Sequence, residues 1–172
     1  YLADKYGITL FYDESEEIGD NGINNDPVMI DEVTGTVVSS ALTLSDAGFA
    51  NDCIDSLWIA HDNADGITLK ADDPDMSGLA GTDVRRWTRI WYAVMVSNSE
   101  GNVTLTFDLD DYPFSSGTTV AGSDYRLITS ASPWSYATTV SGPTIHVGNN
   151  TVSFEVEVAE INKKYFTLAT TD

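Results

Sequence analysis

The chain has little of three things that help to define a protein's class: cysteine, positive charge and long apolar runs. Cys53 is the one cysteine among 172 residues, so an intrachain disulfide and a cysteine-rich zinc site are both excluded. Lysine and arginine total 8 against 27 aspartates and glutamates, which gives a formal net charge of −19. Because phosphate backbones are bound through Lys and Arg, nucleic acid is not an expected partner.

The chain also lacks apolar runs of membrane-spanning length and apolar residues at helical spacing. We therefore expect no membrane insertion and no helix longer than a turn or two. The pattern indicates about ten to thirteen short strands at spacings of roughly 8 to 12 residues. The expected fold is all-β: an antiparallel β-sandwich of jelly-roll or immunoglobulin-like type with an N-terminal strand extension. A closed barrel is the alternative.

The strongest strand pattern lies within residues 85–111. Apolar and polar side chains alternate over residues 103–109, as in a strand with one face on a core and the other in water. Residues 90–96 are apolar at nearly every position, as in a strand covered on both faces. Because residues 97–101 have turn chemistry, we expect these two strands to form a hairpin.

Two further strand pairs are expected. In the first, the polar segment 62–66 would turn between a strand at 54–60 and a strand at 67–69. In the second, the alternating strand 152–158 would pair with the strand 165–170 that follows it.

The chain divides into an N-terminal strand with an acidic arm, residues 1–26, and a sandwich domain, residues 27–172. The strand at 6–12 has apolar side chains on both faces, and the polar loop 13–26 that follows carries six acids. Such a tethered strand could complete the sheet of a neighbouring copy, and head-to-tail insertion would build a filament. The alternative is that it is the first strand of its own sandwich. The candidate subunit-binding residues are Tyr6, Ile8, Leu10, Phe11 and Tyr12.

Five short motifs lie between residues 54 and 170: 59–63 (IAHDN) with Gly66, 89–91 (RIW), 103–109 (VTLTFDL), 124–128 (DYRLI) and 165–169 (YFTLA). Together they resemble the β-sandwich modules of large secreted and cell-surface, adhesin-like proteins of Bacteroidota and related bacteria. Such modules usually have Gly where Ala60 stands. The resemblance implies an extracellular, non-enzymatic module used in adhesion or surface assembly, and it assigns no functional residue.

Acidic turns are the candidate metal sites. Ca²⁺ prefers six to eight oxygen ligands, which closely spaced Asp and Asn side chains can supply while Gly permits the sharp bend. Bound cations would also offset the self-repulsion of the net charge. None of the clusters has EF-hand spacing, and solvated turns are the alternative. The candidate ligands are Asp20, Asn24, Asp26, Asp62, Asn63, Asp65, Asp72, Asp73 and Asp75.

Other side chains suggest sugar chemistry rather than catalysis. Trp134 and Tyr136, in a loop with Ser and Pro, are candidates for stacking on a glycan. Asn102 and Asn149 begin Asn-x-Ser/Thr triplets and are candidate glycosylation sites. The two histidines are His61 and His146, and neither is near a nucleophile motif, so no enzyme is expected.

The basic residues Arg85, Arg86 and Arg89 cluster in one segment, and on so acidic a chain we expect them to pair with carboxylates or with a partner subunit. Taken together, the patterns predict an extracellular structural or adhesive subunit. It would assemble with copies of itself into a filament or surface layer by β-strand exchange, assisted by Ca²⁺. The alternative is a monomeric carbohydrate-binding module.

Overall fold

A computed structural model of the chain describes residues 25–31, 35–45, 56–81, 83–96, 101–110, 114, 124–132, 138–140, 144–147 and 150–171. Its strands, in chain order, are β1 (Asn25–Asp31), β2 (Val37–Ser39), β3 (Leu42–Ser45), β4 (Ser56–His61), β5 (Ile67–Leu69), β6 (Arg85–Trp87), β7 (Trp91–Val96), β8 (Asn102–Asp108), β9 (Tyr125–Ser130), β10 (Thr138–Thr139), β11 (Thr144–Val147), β12 (Thr151–Glu157) and β13 (Lys164–Thr170). A 3-10 turn (Pro74–Met76) and a one-turn helix, α1 (Val158–Ile161), complete the described elements. Among the described residues, no helix is long and apolar enough to cross a membrane.

The strands form two antiparallel sheets packed on each other, which confirms the expected β-sandwich. In sheet A, β1, β4 and β7 lead to β13. One side of β13 pairs first with β7 and then with β6, while its other side pairs with β9 from Tyr165 to Thr170. Sheet B has the order β11, β12, β8, β3 and β2. The described parts of both sheets therefore have open edges rather than the continuous ladder of a closed barrel.

The main core between the sheets is centred on aromatic rings. The Phe107 ring, from sheet B, meets the rings of Trp87 and Trp91, from sheet A, edge to face at centroid distances of 5.7 and 5.5 Å. Phe154 extends the contact in sheet B, and Phe166 stacks on Trp91 in sheet A. All five side chains are fully buried. Pairs of this geometry contribute about 0.5–1.5 kcal/mol each beyond the area they bury.

A second apolar cluster covers the outer face of sheet A. Tyr92 of β7 and Tyr165 of β13 lie with their ring centroids 4.7 Å apart. Met76, Leu79 and Val84, from the loop between β5 and β6, belong to the same buried cluster. Because both faces of sheet A are covered, β7 is buried on both faces, as its unbroken apolar run indicates.

The expected hairpin between residues 90–96 and 103–109 is wrong. β7 pairs with β4 and β13 in sheet A, whereas β8 pairs with β3 and β12 in sheet B. The expected pair of 152–158 with 165–170 is wrong for the same reason, since β12 lies in sheet B and α1 leads the chain to β13 in sheet A. Both patterns identified strands correctly, but the chain crosses between the sheets instead of turning back within one.

The segment 62–66 is not a hairpin turn either. β4 pairs with β7, and β5 pairs with β6. β4 and β5 therefore form one arm of a long hairpin and β6 and β7 form the other, with an interruption in the ladder between them. Five residues, 62–66, face three, 88–90, across the interruption, which makes this an enlarged, irregular bulge. Gly66 has φ +118, a conformation that L side chains rarely adopt, and its carbonyl accepts the backbone N–H of Thr88 at 2.9 Å.

Candidate functional site

Asp62 lies in the bulge and is half-buried. Its Oδ1 accepts the backbone N–H of Ala64 at 3.3 Å and that of Ile90 at 3.1 Å, so it joins the two arms of the hairpin where the ladder is broken. Burial raises the pKa of the Asp62 carboxyl above its ordinary value, although the two N–H donors and the nearby charges of Arg89 and His61 act in the opposite direction. Asp62 is therefore fixed as a structural acceptor.

Arg89 connects the bulge to sheet B. Its Nε donates to the carbonyl of Ala64 at 3.2 Å, and its guanidinium contacts the Asp65 carboxylate and the Ser40 hydroxyl. Ser40 belongs to the two-residue turn between β2 and β3, and the indole N–H of Trp91 donates to the carbonyl of the preceding residue, Ser39, at 3.1 Å. Side chains of sheet A therefore hold the β2–β3 turn in place.

The second acidic loop is fixed by a buried ion pair. One Asp73 carboxylate oxygen lies 2.7 Å from the Arg86 Nη2 and 2.9 Å from its Nε, and the other accepts the backbone N–H of Asp75 at 3.0 Å. The side chains of Arg86 and Asp73 are only 11% and 9% exposed. Because Arg86 lies on β6, the pair attaches the loop that covers the second cluster to sheet A.

All three arginines of the basic cluster pair with carboxylates, as expected. Arg85 contacts Asp83 at 2.8 Å at the surface, Arg86 pairs with Asp73, and Arg89 pairs with Asp65. Two of these partners are candidate calcium ligands, so arginines already neutralise part of the negative charge on which those candidate sites depend.

Within the described ranges, no three His, Cys, Asp or Glu side chains come together as a group that could hold a metal ion. Asp62, Asn63 and Asp65 lie in the bulge, and Asp72, Asp73 and Asp75 lie in the loop that covers sheet A. Asp26 lies in β1, while Asp20 and Asn24 lie outside the described residues. Calcium binding stays a prediction.

The remaining candidates are distributed as follows. Asn102 is exposed at the start of β8, where a glycan could be attached. His61 is buried, and its ring Nδ1 hydrogen-bonds to the carbonyl of Asp62. The candidates outside the described residues are Tyr6, Ile8, Leu10, Phe11, Tyr12, Trp134, Tyr136 and Asn149.

The structure adds a candidate that the sequence analysis did not identify: the outer edge of β2. Sheet B ends at β2: no further described strand pairs with its outer side, although β1 of sheet A runs close to it. Val38 is 55% exposed, the highest value among the large apolar side chains that the structure describes. The sequence indicates this exposure through the pair Val37-Val38. Adjacent strand residues point to opposite faces of a sheet, so one of the two valines must face away from the main core.

The backbone N–H and C=O groups of Val38 also point outward at this edge. Ser39 and Leu42 flank a two-residue turn, and in such a hairpin the flanking pair is hydrogen-bonded. Pairs alternate along an antiparallel ladder, so the N–H and C=O of Val38 point away from β3. At Val38 the β2 edge therefore combines a backbone donor and a backbone acceptor directed away from β3, with no described strand paired to them, and an exposed apolar side chain.

A scan of the chain against protein-family models returns no match, and searches of curated proteins and of solved structures return none either.

The buried and exposed ion pairs offer a matched test of what fixes the covering loop. Asp73→Ala removes the carboxylate that pairs with the buried Arg86 charge, which we expect to lower the free energy of unfolding by about 3–5 kcal/mol. Asp83→Ala removes the surface partner of Arg85, and we expect a loss below about 1 kcal/mol. Urea denaturation of the two variants measures both values. Equal losses would show that the Asp73 pair does not hold the loop.

Asp62→Asn tests the bulge through its pH dependence. Asn keeps the Oδ1 acceptor and removes the charge that burial disfavours, whereas Asp62→Ala leaves two N–H groups unpaired at a cost of about 1–3 kcal/mol. Below the ordinary pKa of 3.8 the wild-type carboxyl is protonated in the folded and unfolded chains alike. As the pH rises above that value, the Asp62 carboxyl ionises in the unfolded chain at a lower pH than in the folded chain. The wild type therefore loses stability relative to Asp62→Asn until the pH exceeds the raised pKa of Asp62 in the folded chain.

We therefore expect the stability advantage of Asp62→Asn over the wild type to grow as the pH is raised from about 3 to about 7. Unfolding free energies at a series of pH values measure it. An advantage that shrinks with rising pH would contradict this reading of Asp62.

Proposed function

We propose that the protein is an extracellular structural or adhesive subunit that assembles with copies of itself by β-strand pairing. The observation that carries the proposal is the β2 edge, which pairs with no described strand and where Val38 presents an exposed apolar side chain on an otherwise acidic protein. Unprotected strand edges are templates for pairing with another chain, and soluble proteins usually protect them with charge or cover them. Here residues 35–45 contain no charged side chain at all.

The charge distribution supports a protein partner rather than a polyanion. Arg85, Arg86 and Arg89 are paired with carboxylates of their own chain, and the net charge is −19. Copies that approach one another must overcome this repulsion, which Ca²⁺ or a saline medium would reduce. Calcium is thus part of the proposal as an assembly aid bound by the acidic turns.

An extracellular, cell-surface location and the absence of catalysis complete the proposal. The likeness of residues 54–170 to surface β-sandwich modules supports both, and the exposed amide of Asn102 suits an accessible, glycosylated surface. Adhesion or a structural role in a filament or surface layer follows from repeated pairing of such modules.

Sedimentation velocity and electron microscopy of the 172-residue chain test the proposal directly. We expect oligomers that grow with protein concentration, and more of them with Ca²⁺ than with a chelator at matched ionic strength. Matching the ionic strength with NaCl separates calcium binding from charge screening. A chain that stays monomeric under all conditions and binds glycans would contradict the proposal and favour a carbohydrate-binding module.

A further inference from the structure

The β2 edge has the features that the addition of a strand requires. An added strand would find the N–H and C=O of Val38 directed toward it, as the alternating ladder requires. Its side chains on the outer face would cover Val38, which is 55% exposed, and those on the inner face would approach Val37, which is partly buried against the main core. The site thus supplies both the backbone and the apolar contacts of strand addition.

The other strongly exposed apolar side chain marks a poorer acceptor. Leu69 lies on β5 and is 40% exposed, but the loop that follows it contains Asp72, Asp73 and Asp75. An apolar strand docked there would draw carboxylates out of water, at a cost that β2 does not impose. β2 lies within the uncharged segment 35–45.

The occupant must be uncharged as well, because two copies of a chain with net charge −19 repel each other at most surfaces. Residues 6–12 (YGITLFY) meet this condition: they include no charged side chain and have the β-branched and aromatic residues typical of strands. We infer that residues 6–12 of a second copy add to the β2 edge as a new strand of sheet B. This assignment rests on the proposed function and names the acceptor and the donor of its assembly.

The segment between donor and sandwich is long enough to carry the donor to another copy. Residues 13–24 carry five acids and no Lys or Arg, and charged linkers repel themselves and extend. Twelve residues can span about 40 Å when extended. A linker of this length lets the donor reach the β2 edge of another copy, and head-to-tail repetition of the contact gives an open chain of subunits.

A matched pair of variants tests the acceptor. Val38→Asp places a charge at the proposed contact, and Leu69→Asp makes the same type of change at the other exposed apolar position. Both side chains are solvent-exposed, so we expect both variants to stay folded. Val38→Asp should lower the association constant of the chain at least about tenfold, equivalent to about 1.4 kcal/mol, while Leu69→Asp should leave it unchanged.

Cysteine trapping tests the donor in the same protein. In a Cys53→Ser background, Val38→Cys is mixed with Ile8→Cys or Thr9→Cys during refolding and exposed to a mild oxidant. Disulfides between the two variants are expected, and Leu69→Cys in place of Val38→Cys should give few. The Ile8→Cys/Val38→Cys double variant is oxidised at high dilution as well. If it forms disulfides within one chain, the proposed strand exchange between copies is wrong. Disulfides between two Val38→Cys chains would overturn the choice of donor.

The outcomes separate this inference from the function on which it rests. If the wild type assembles and Val38→Asp assembles equally well, the acceptor is wrong while self-assembly stands. If the wild type does not assemble at any concentration, the proposed function itself fails.

Discussion

The structure depends above all on the contact of one phenylalanine with two tryptophans. Phe107 comes from sheet B, and Trp87 and Trp91 come from sheet A, so their edge-to-face packing joins the two layers at the centre of the core. The same segment that supplies the tryptophans also supplies Arg89, which contacts Ser40 in the β2–β3 turn. The position of the β2 edge therefore follows from the packing of the core.

The sequence predicts the faces of strands better than their partners. Alternation in β8 and β12 correctly indicates one buried face, and the apolar run of β7 correctly indicates two. Periodicity reports which side chains leave water, but it does not report which strand lies alongside, so neighbouring strands that belong to different sheets look like a hairpin. The segment 62–66 has turn residues, and a bulge needs the same ones, including a glycine at φ +118.

In the acidic loops, too, the sequence predicts the type of interaction better than the partners. Composition predicts that scarce arginines will be paired, yet the pairing of Asp73 with Arg86 and the contact of Arg89 with Ser40 depend on how distant segments meet. Identifying the β2 edge as a candidate site required both the sequence pattern and the strand order. The Val37-Val38 pair indicates one valine off the main core, but only the strand order of sheet B shows that no described strand pairs with that edge.

The central claim is that the N–H of Val38 is free in the isolated chain and becomes hydrogen-bonded when copies pair. Hydrogen exchange of the peptide that spans β2, measured across the concentration range in which the chain assembles, tests this most directly. The account predicts rapid exchange at high dilution and protection that rises together with assembly. Protection that is already complete at high dilution, or exchange at β2 that stays rapid in the assembled protein, would contradict it.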